Sequence, residues 1–149
     1  MAHTHLCLLY HVIFATKDRE PWLTVELRQP IFGYMAGILK NLNGQAILIN
    51  GAADHAHVLC RLRATSAVAD VVQRVKSNSS GWVHKTFRRA AFAWQEGYAA
   101  FSVSASQKNR VHQYIAQQDK HHRLRSFKEE YLELLKRHGV EYDDRFVWD

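Results

Sequence analysis

Residues able to do chemistry gather at two places in the sequence. His55-Ala56-His57 offers two imidazoles in alternation on what reads as a strand, and Tyr114 and Gln118 stand four residues apart on what reads as a helix. Alternation brings both imidazoles to one side of the strand. The four-residue step brings the phenol and the amide to one helix face, about 6 Å apart along the axis. Two imidazoles and an amide oxygen can hold a divalent cation, a mixed set that admits magnesium, manganese and others. A tyrosine beside such an ion can attack a phosphate ester. Plainer roles exist for each: a half-exposed strand with its polar side to water, a core aromatic beside Val111 and Ile115, a solvated glutamine. Ten histidines also make a His-x-His triplet common, as His3-Thr4-His5 shows. His122, one turn beyond Gln118, competes as third ligand, touches phosphate or caps the helix end.

The elements that must position these groups follow from periodicity. Residues 4–15 alternate, with Leu6, Leu8, Tyr10, Val12 and Phe14 on one side and His5, Cys7, Leu9, His11 and Ile13 on the other, as a strand does. Residues 16–21 form a charged turn. Apolar residues at helical spacing run from about Thr24 to Leu42, with Pro30 implying a kink or a late start. Asn43-Gly44 stops that helix. Two strands follow, 45–51 and 55–63. The second places His55, His57, Leu59, Arg61 and Arg63 on one face and Ala56, Val58, Cys60 and Leu62 on the other, so that two guanidiniums follow the imidazoles. Ser66 is expected to cap a helix running to about Phe87. A fourth strand is expected over roughly 94–104, then helices over about 107–120 and 127–138, the last stopped by His138-Gly139. An aromatic, acidic tail from Val140 is expected to pack on the rest.

Strand, helix, strand, strand, helix, strand, and then helices is the order of a split βαβ, ferredoxin-like α+β fold. That fold is an antiparallel sheet with helices on one face, here with added C-terminal helices that include the one bearing Tyr114. With 149 residues, no repeats and no linker, the expectation is one domain spanning 1–149.

The formal charge is +6 with histidines neutral, which favours a polyanionic partner. Lys17, Arg19, Arg61, Arg63, Lys76, Lys108 and Arg110 are the candidate nucleic-acid contacts. Trp82 and Trp94 could stack on bases, though their spacing suits a core. Cys7 and Cys60 fall on opposite strand faces, which argues against a disulfide. With no signal peptide and no apolar run long enough for a bilayer, the sequence reads as cytoplasmic, without membrane contact.

Several of these segments resemble one family. Residues 10–22 (Tyr10 to Trp22) are similar to the opening strand of the insertion-sequence-200/605-like tyrosine transposases. Asp54-His55-Ala56-His57-Val58-Leu59 resembles their HUH motif (His, hydrophobic, His), with Ala56 smaller than the usual middle residue. Lys76-Ser77-Asn78-Ser79-Ser80, Trp94-Gln95-Glu96-Gly97-Tyr98 and Tyr114-Ile115-Ala116-Gln117-Gln118 match further segments, the last being the nucleophile helix. His121-His122, Phe127-Lys128-Glu129-Glu130-Tyr131 and the ending Phe146-Val147-Trp148 resemble one branch of the family, which as a whole includes relatives associated with repetitive extragenic palindromes.

The resemblance implies a transposase that cleaves and rejoins single-stranded DNA at hairpin-bearing ends. Its nucleophile would be Tyr114, forming a 5′-phosphotyrosine intermediate. His55, His57 and Gln118 would hold a divalent metal, magnesium or manganese, and the protein would act as a homodimer, with the tyrosine serving its own or the partner's site. Three other functions compete: a resident relative that processes repeated palindromic DNA, a catalytically silent hairpin-binding protein, and a replication initiator or relaxase of the wider HUH class. The short chain and single candidate tyrosine disfavour the last.

Overall fold

Residues 9–15 are buried nearly throughout on both sides of the strand they form, so this segment has to lie at the centre of a sheet covered on both faces. The computed structural model, which describes residues 3–118 and 125–149, shows how. Its α-helices and strands run β1 (Leu9–Ala15), α1 (Val25–Asn41), β2 (Gln45–Gly51), β3 (His55–Arg61), α2 (Val68–Thr86), β4 (Ala99–Val103), α3 (Lys108–Ala116) and α4 (Phe127–Arg137). The strands form one sheet in the order β2-β3-β1-β4, every neighbouring pair antiparallel. This is the ferredoxin-like α+β arrangement read from the sequence.

One face of the sheet carries Val12, Phe14, Ala56, Val58 and Cys60. It packs against Leu27, Ile31 and Met35 of α1 and Val72 and Val75 of α2. Each such aliphatic side chain removed from water contributes about 1.5–3 kcal/mol. The other face carries Ile13, Ala15, Ala99 and Phe101, covered by Phe127, Tyr131, Leu134 and Leu135 of α4, with Tyr142, Val147 and Trp148 of the tail packed alongside. A smaller cluster joins Leu9, Leu59 and Val103 to Ile115 of α3, with Tyr114 against it. The face bearing His55 and His57 is therefore roofed by α3 and α4.

Helix ends follow local chemistry. Thr24 caps α1 by accepting from Leu27 N, and Ser126 caps α4 by accepting from Glu129 N. Both helices end in the same Schellman geometry. At α1 the amides of Asn43 and Gly44 return to the carbonyls of Lys40 and Leu39; at α4 those of Gly139 and Val140 return to Lys136 and Leu135. Asn43 and Gly139 supply the positive φ, at 61° and 66°.

Six details differ from the sequence expectation. β3 ends at Arg61 rather than residue 63. α3 ends at Ala116 with Gln117 as its C-cap, so Gln118 lies just beyond the helix of Tyr114 rather than on it. β1 begins at Leu9 rather than residue 4, because Leu9 already faces the terminal residues of both neighbours, Arg61 and Val103. Pro30 does not delay α1, which starts at Val25; so near the start it removes one helical hydrogen bond, while Leu27, Ile31 and Phe32 hold the segment by burial. Ser66 is not the cap of α2, whose N-cap is Ala67 with no side-chain bond. β4 is shorter than 94–104: Trp94 makes only an isolated bridge to Thr16 and buries its ring in the core, its Nε1 donating to Ser79 at 3.0 Å. Trp82 packs on Tyr34 with ring centroids 4.6 Å apart. Cys60 is buried in the core and Cys7 exposed, both free, and burial pushes the Cys60 thiol up to about 12. Among the described residues no helix is long and apolar enough to cross a membrane.

Candidate metal and tyrosine site

The HxH alternation, buried by α3 and α4, produces a polar cluster inside an otherwise apolar layer. His55, His57, Gln118 and Glu130 are all fully buried. One nitrogen of each histidine and a carboxylate oxygen of Glu130 lie within 4.8 Å of one another. Glu130 Oε1 is 3.0 Å from His57 Nε2 and 3.7 Å from His55 Nε2. Gln118 Oε1 is 3.2 Å from His55 Nε2. The other oxygen of Glu130 accepts a short hydrogen bond from the Tyr114 hydroxyl. One carboxylate thus joins the imidazole pair to the phenol, and all five side chains belong to the same chain.

Outer partners orient the two imidazoles. His55 Nδ1 lies 2.8 Å from Asp54 Oδ1, so Nδ1–H donates to the carboxylate. In its neutral form His55 then turns the Nε2 lone pair toward the oxygens of Gln118 and Glu130. Lone pairs facing one another in a buried site are what a cation satisfies, and the donor set of imidazole nitrogen with carboxylate and amide oxygen suits a divalent ion. His57 Nδ1 lies 2.8 Å from His11 Nε2. Binding a cation through His57 Nε2 leaves the ring proton on Nδ1, which then donates to His11. His11 can accept because burial, and secondarily the neighbouring His57, hold its pKa well below 6.5. Phe127 stacks on His55, ring centroids 4.3 Å apart, and closes the site from α4.

Tyr114 is half-buried on α3. Burial first, then the hydrogen bond and the charge of Glu130, raise its phenol well above the ordinary 10. The side chain is protonated at neutral pH, with its proton already directed at a carboxylate.

The structure thus brings His55, His57, Tyr114 and Gln118 together. His122 lies outside the described residues. Of the expected nucleic-acid contacts, Arg110 lines the same cleft as Tyr114, and Lys108 opens α3. Lys17 and Arg19 lie in a short 3-10 turn after β1, Arg19 packing over the Trp148 ring. Arg61 is exposed at the end of β3. Arg63 lines a separate depression with Asn41, Asp70 and Arg74. Lys76 Nζ donates to the carbonyls of Glu96 and Gly97, each at 2.9 Å, and burial lowers its pKa to about 8.

Sequence reasoning missed Glu130, His11 and the role of Asp54 in orienting His55. Glu130 carried a signal: with Phe127, Tyr131 and Leu134 it falls on the apolar stripe of α4, and an acid there must find a buried partner. His11 stood between Leu9 and Ile13 on an inward strand face.

Comparison with known proteins agrees with this architecture. The family described as IS200-like transposase matches residues 4–118. No curated protein matches the sequence. Among solved structures, a protein assigned as a transposase from Deinococcus radiodurans superposes with a TM-score of 0.66 at 22% identity, covering 79% of this chain and 95% of that one. A REP-associated tyrosine transposase bound to a REP hairpin superposes with a TM-score of 0.58 at 12% identity, covering 82% and 74%. At such identities the two structures speak for the fold. The family match spans the sheet, α1 to α3, and His55, His57, Tyr114 and Gln118, and it stops before α4. The chain belongs to the IS200-like transposases, a family of enzymes that cleave and recombine DNA.

Proposed function

We propose that this protein, acting as one domain over its whole length, cleaves and rejoins single-stranded DNA at hairpin-bearing ends, with Tyr114 as nucleophile. The observation that carries this reading is the shared carboxylate: Glu130 faces His57 with one oxygen and the Tyr114 hydroxyl with the other. His55, His57 and Gln118, with Glu130 beside them, would hold magnesium or manganese. A bound ion would supply Lewis acidity at the scissile phosphate and steady the departing oxygen.

Attack by the Tyr114 oxygen forms a 5′-phosphotyrosine, breaks the phosphorus–O3′ bond and frees a 3′-hydroxyl. One phosphodiester replaces another, so the reverse attack rejoins strands without ATP. An unperturbed phenolate at pH 7 costs about 4 kcal/mol, and burial of Tyr114 raises that cost. The proton therefore leaves during attack, toward Glu130, while Asp54 and His11 keep the two imidazoles in register.

A hairpin substrate is supported by the REP hairpin carried by the structurally similar transposase. That likeness also favours a second reading, a resident relative acting on repeated palindromic DNA. We assign a homodimer in the cytoplasm; the hydroxyl–Glu130–His57 link within one chain supports a tyrosine that serves its own metal site. The test is cleavage of hairpin-bearing single-stranded oligonucleotides with manganese or magnesium against a chelator. Products with free 3′-hydroxyls and protein-blocked 5′ ends, absent with the chelator, are expected. Cleavage to free 5′-phosphates would refute tyrosine attack.

A further inference from the structure

The segment beyond the family match does more than roof the metal site. Between α3, β4 and α4 lies an open cleft of about 640 Å³, with Tyr114 in its wall. This volume falls in the range of small-molecule sites. Arg110 and Gln107 reach it from the α3 side, and Arg137 and His138 from the end of α4. No carboxylate lines it among the described residues. Arg110 stands one turn before Tyr114, so its guanidinium shares the helix face of the nucleophile. Arg137 is tethered by Glu133 at 2.8 Å yet leaves 64% of its side chain exposed. His138 stacks on Phe101, ring centroids 4.0 Å apart and 17° between planes. Its Nδ1 donates to the Leu134 carbonyl at 2.8 Å, leaving Nε2 for another partner.

We infer that this cleft binds the nucleotide adjoining the scissile phosphate, with α4 as the wall that reads its base. The inference rests on the tyrosine reading above. Two guanidiniums on opposite walls suit successive phosphates. Val111 and the exposed His138 ring, backed by the buried Phe101, supply surface for a base, and Gln107 and His138 Nε2 supply polar atoms at its edge. A family member ending where the match ends would lack Leu134, Arg137 and His138, so base choice at this position would be a property of the C-terminal helix.

Two readouts test it. The first is anisotropy of a fluorescein-labelled oligothymidine of about 12 nucleotides on Tyr114→Phe protein, from about 50 to about 200 mM salt. Arg110→Ala and Arg137→Ala should each lower the slope of log affinity against log salt by about 0.7, the value for one phosphate on a single strand. Lys40→Ala, on α1 across the sheet, is the charge control. Unchanged slopes in both arginine variants would overturn the cleft. The second readout uses wild-type protein and hairpin oligonucleotides randomised around the hairpin, sequencing the DNA captured in covalent adducts. A base bias beside the junction that flattens in Arg137→Ala and His138→Gln supports the reading wall. A bias unchanged in both, or absent from wild type, overturns it. Slope losses without any adduct from wild type would overturn the phosphotyrosine reading and leave the cleft as a binding site.

Discussion

Replacing Glu130 by glutamine keeps the shape of the side chain and removes its charge. The carboxylate is fully buried, accepts from Tyr114 and stands 3.0 Å from His57 Nε2. In the metal-free protein two effects oppose: charge-assisted hydrogen bonds worth about 1.5–3 kcal/mol each weaken, and the cost of desolvating a carboxylate disappears. The net change in stability should stay below about 2 kcal/mol. Glu130→Ala is different, because the buried His57 and the half-buried Tyr114 lose their acceptor and a cavity opens; about 3–5 kcal/mol is expected. Metal binding separates the roles more sharply. A neutral amide in place of an anionic ligand should weaken manganese binding by about 10–100-fold, the range found for altered metal surroundings. The assay is calorimetric titration of manganese into wild type and Glu130→Gln, with urea midpoints to show that both are folded. Binding within about twofold of wild type would mean that Glu130 is no ligand and acts only on Tyr114.

Other consequences are equally measurable. His11→Phe keeps an aromatic in the layer but takes the acceptor from His57 Nδ1, so manganese affinity should fall about 10-fold or more, again by calorimetry. Gln95 accepts from Ala15 N at 2.6 Å and donates to the Asp149 carbonyl at 2.9 Å; Gln95→Ala should cost about 1–3 kcal/mol in urea unfolding. Lys76 has a folded-state pKa near 8 against an ordinary 10.5. The unfolded chain therefore binds this proton more tightly, and its effect on stability becomes more favourable as pH rises through that interval. Wild type should gain stability relative to Lys76→Met between about pH 8 and 10.5; a constant difference across that window would contradict the burial argument.

The strands, the ferredoxin-like order of elements along the chain and the shared face of His55 and His57 were legible because each rests on a local rule: alternation of two, apolar residues at helical spacing, Asn43-Gly44 and His138-Gly139 as stops. Gln118 reaches His55 although the helical step that linked it to Tyr114 is broken at Gln117. What stayed hidden depends on which layers meet. His55 and His57 read as facing water because the strand alone does not say that α4 returns over that face. Glu130 looked like one of several acids on α4 until Phe127, Tyr131 and Leu134 fixed which side of the helix is buried. Lys76 read as a candidate nucleic-acid contact, yet its ammonium sits between two carbonyls, a contact between α2 and the segment before β4 that no periodicity encodes. The strand boundaries erred for a related reason, since β1 and β4 extend only as far as their neighbours pair.

The central claim is that Tyr114 attacks DNA at a metal held by His55 and His57. Protein incubated with manganese and hairpin-bearing single-stranded DNA should give a covalent band on a denaturing gel, with the DNA mapped by mass spectrometry to the peptide containing Tyr114. Tyr114→Phe and His55→Ala should both lose the band, and a chelator should abolish it in wild type. An adduct that persists in Tyr114→Phe, or hairpin binding with no adduct under any metal, would contradict the account.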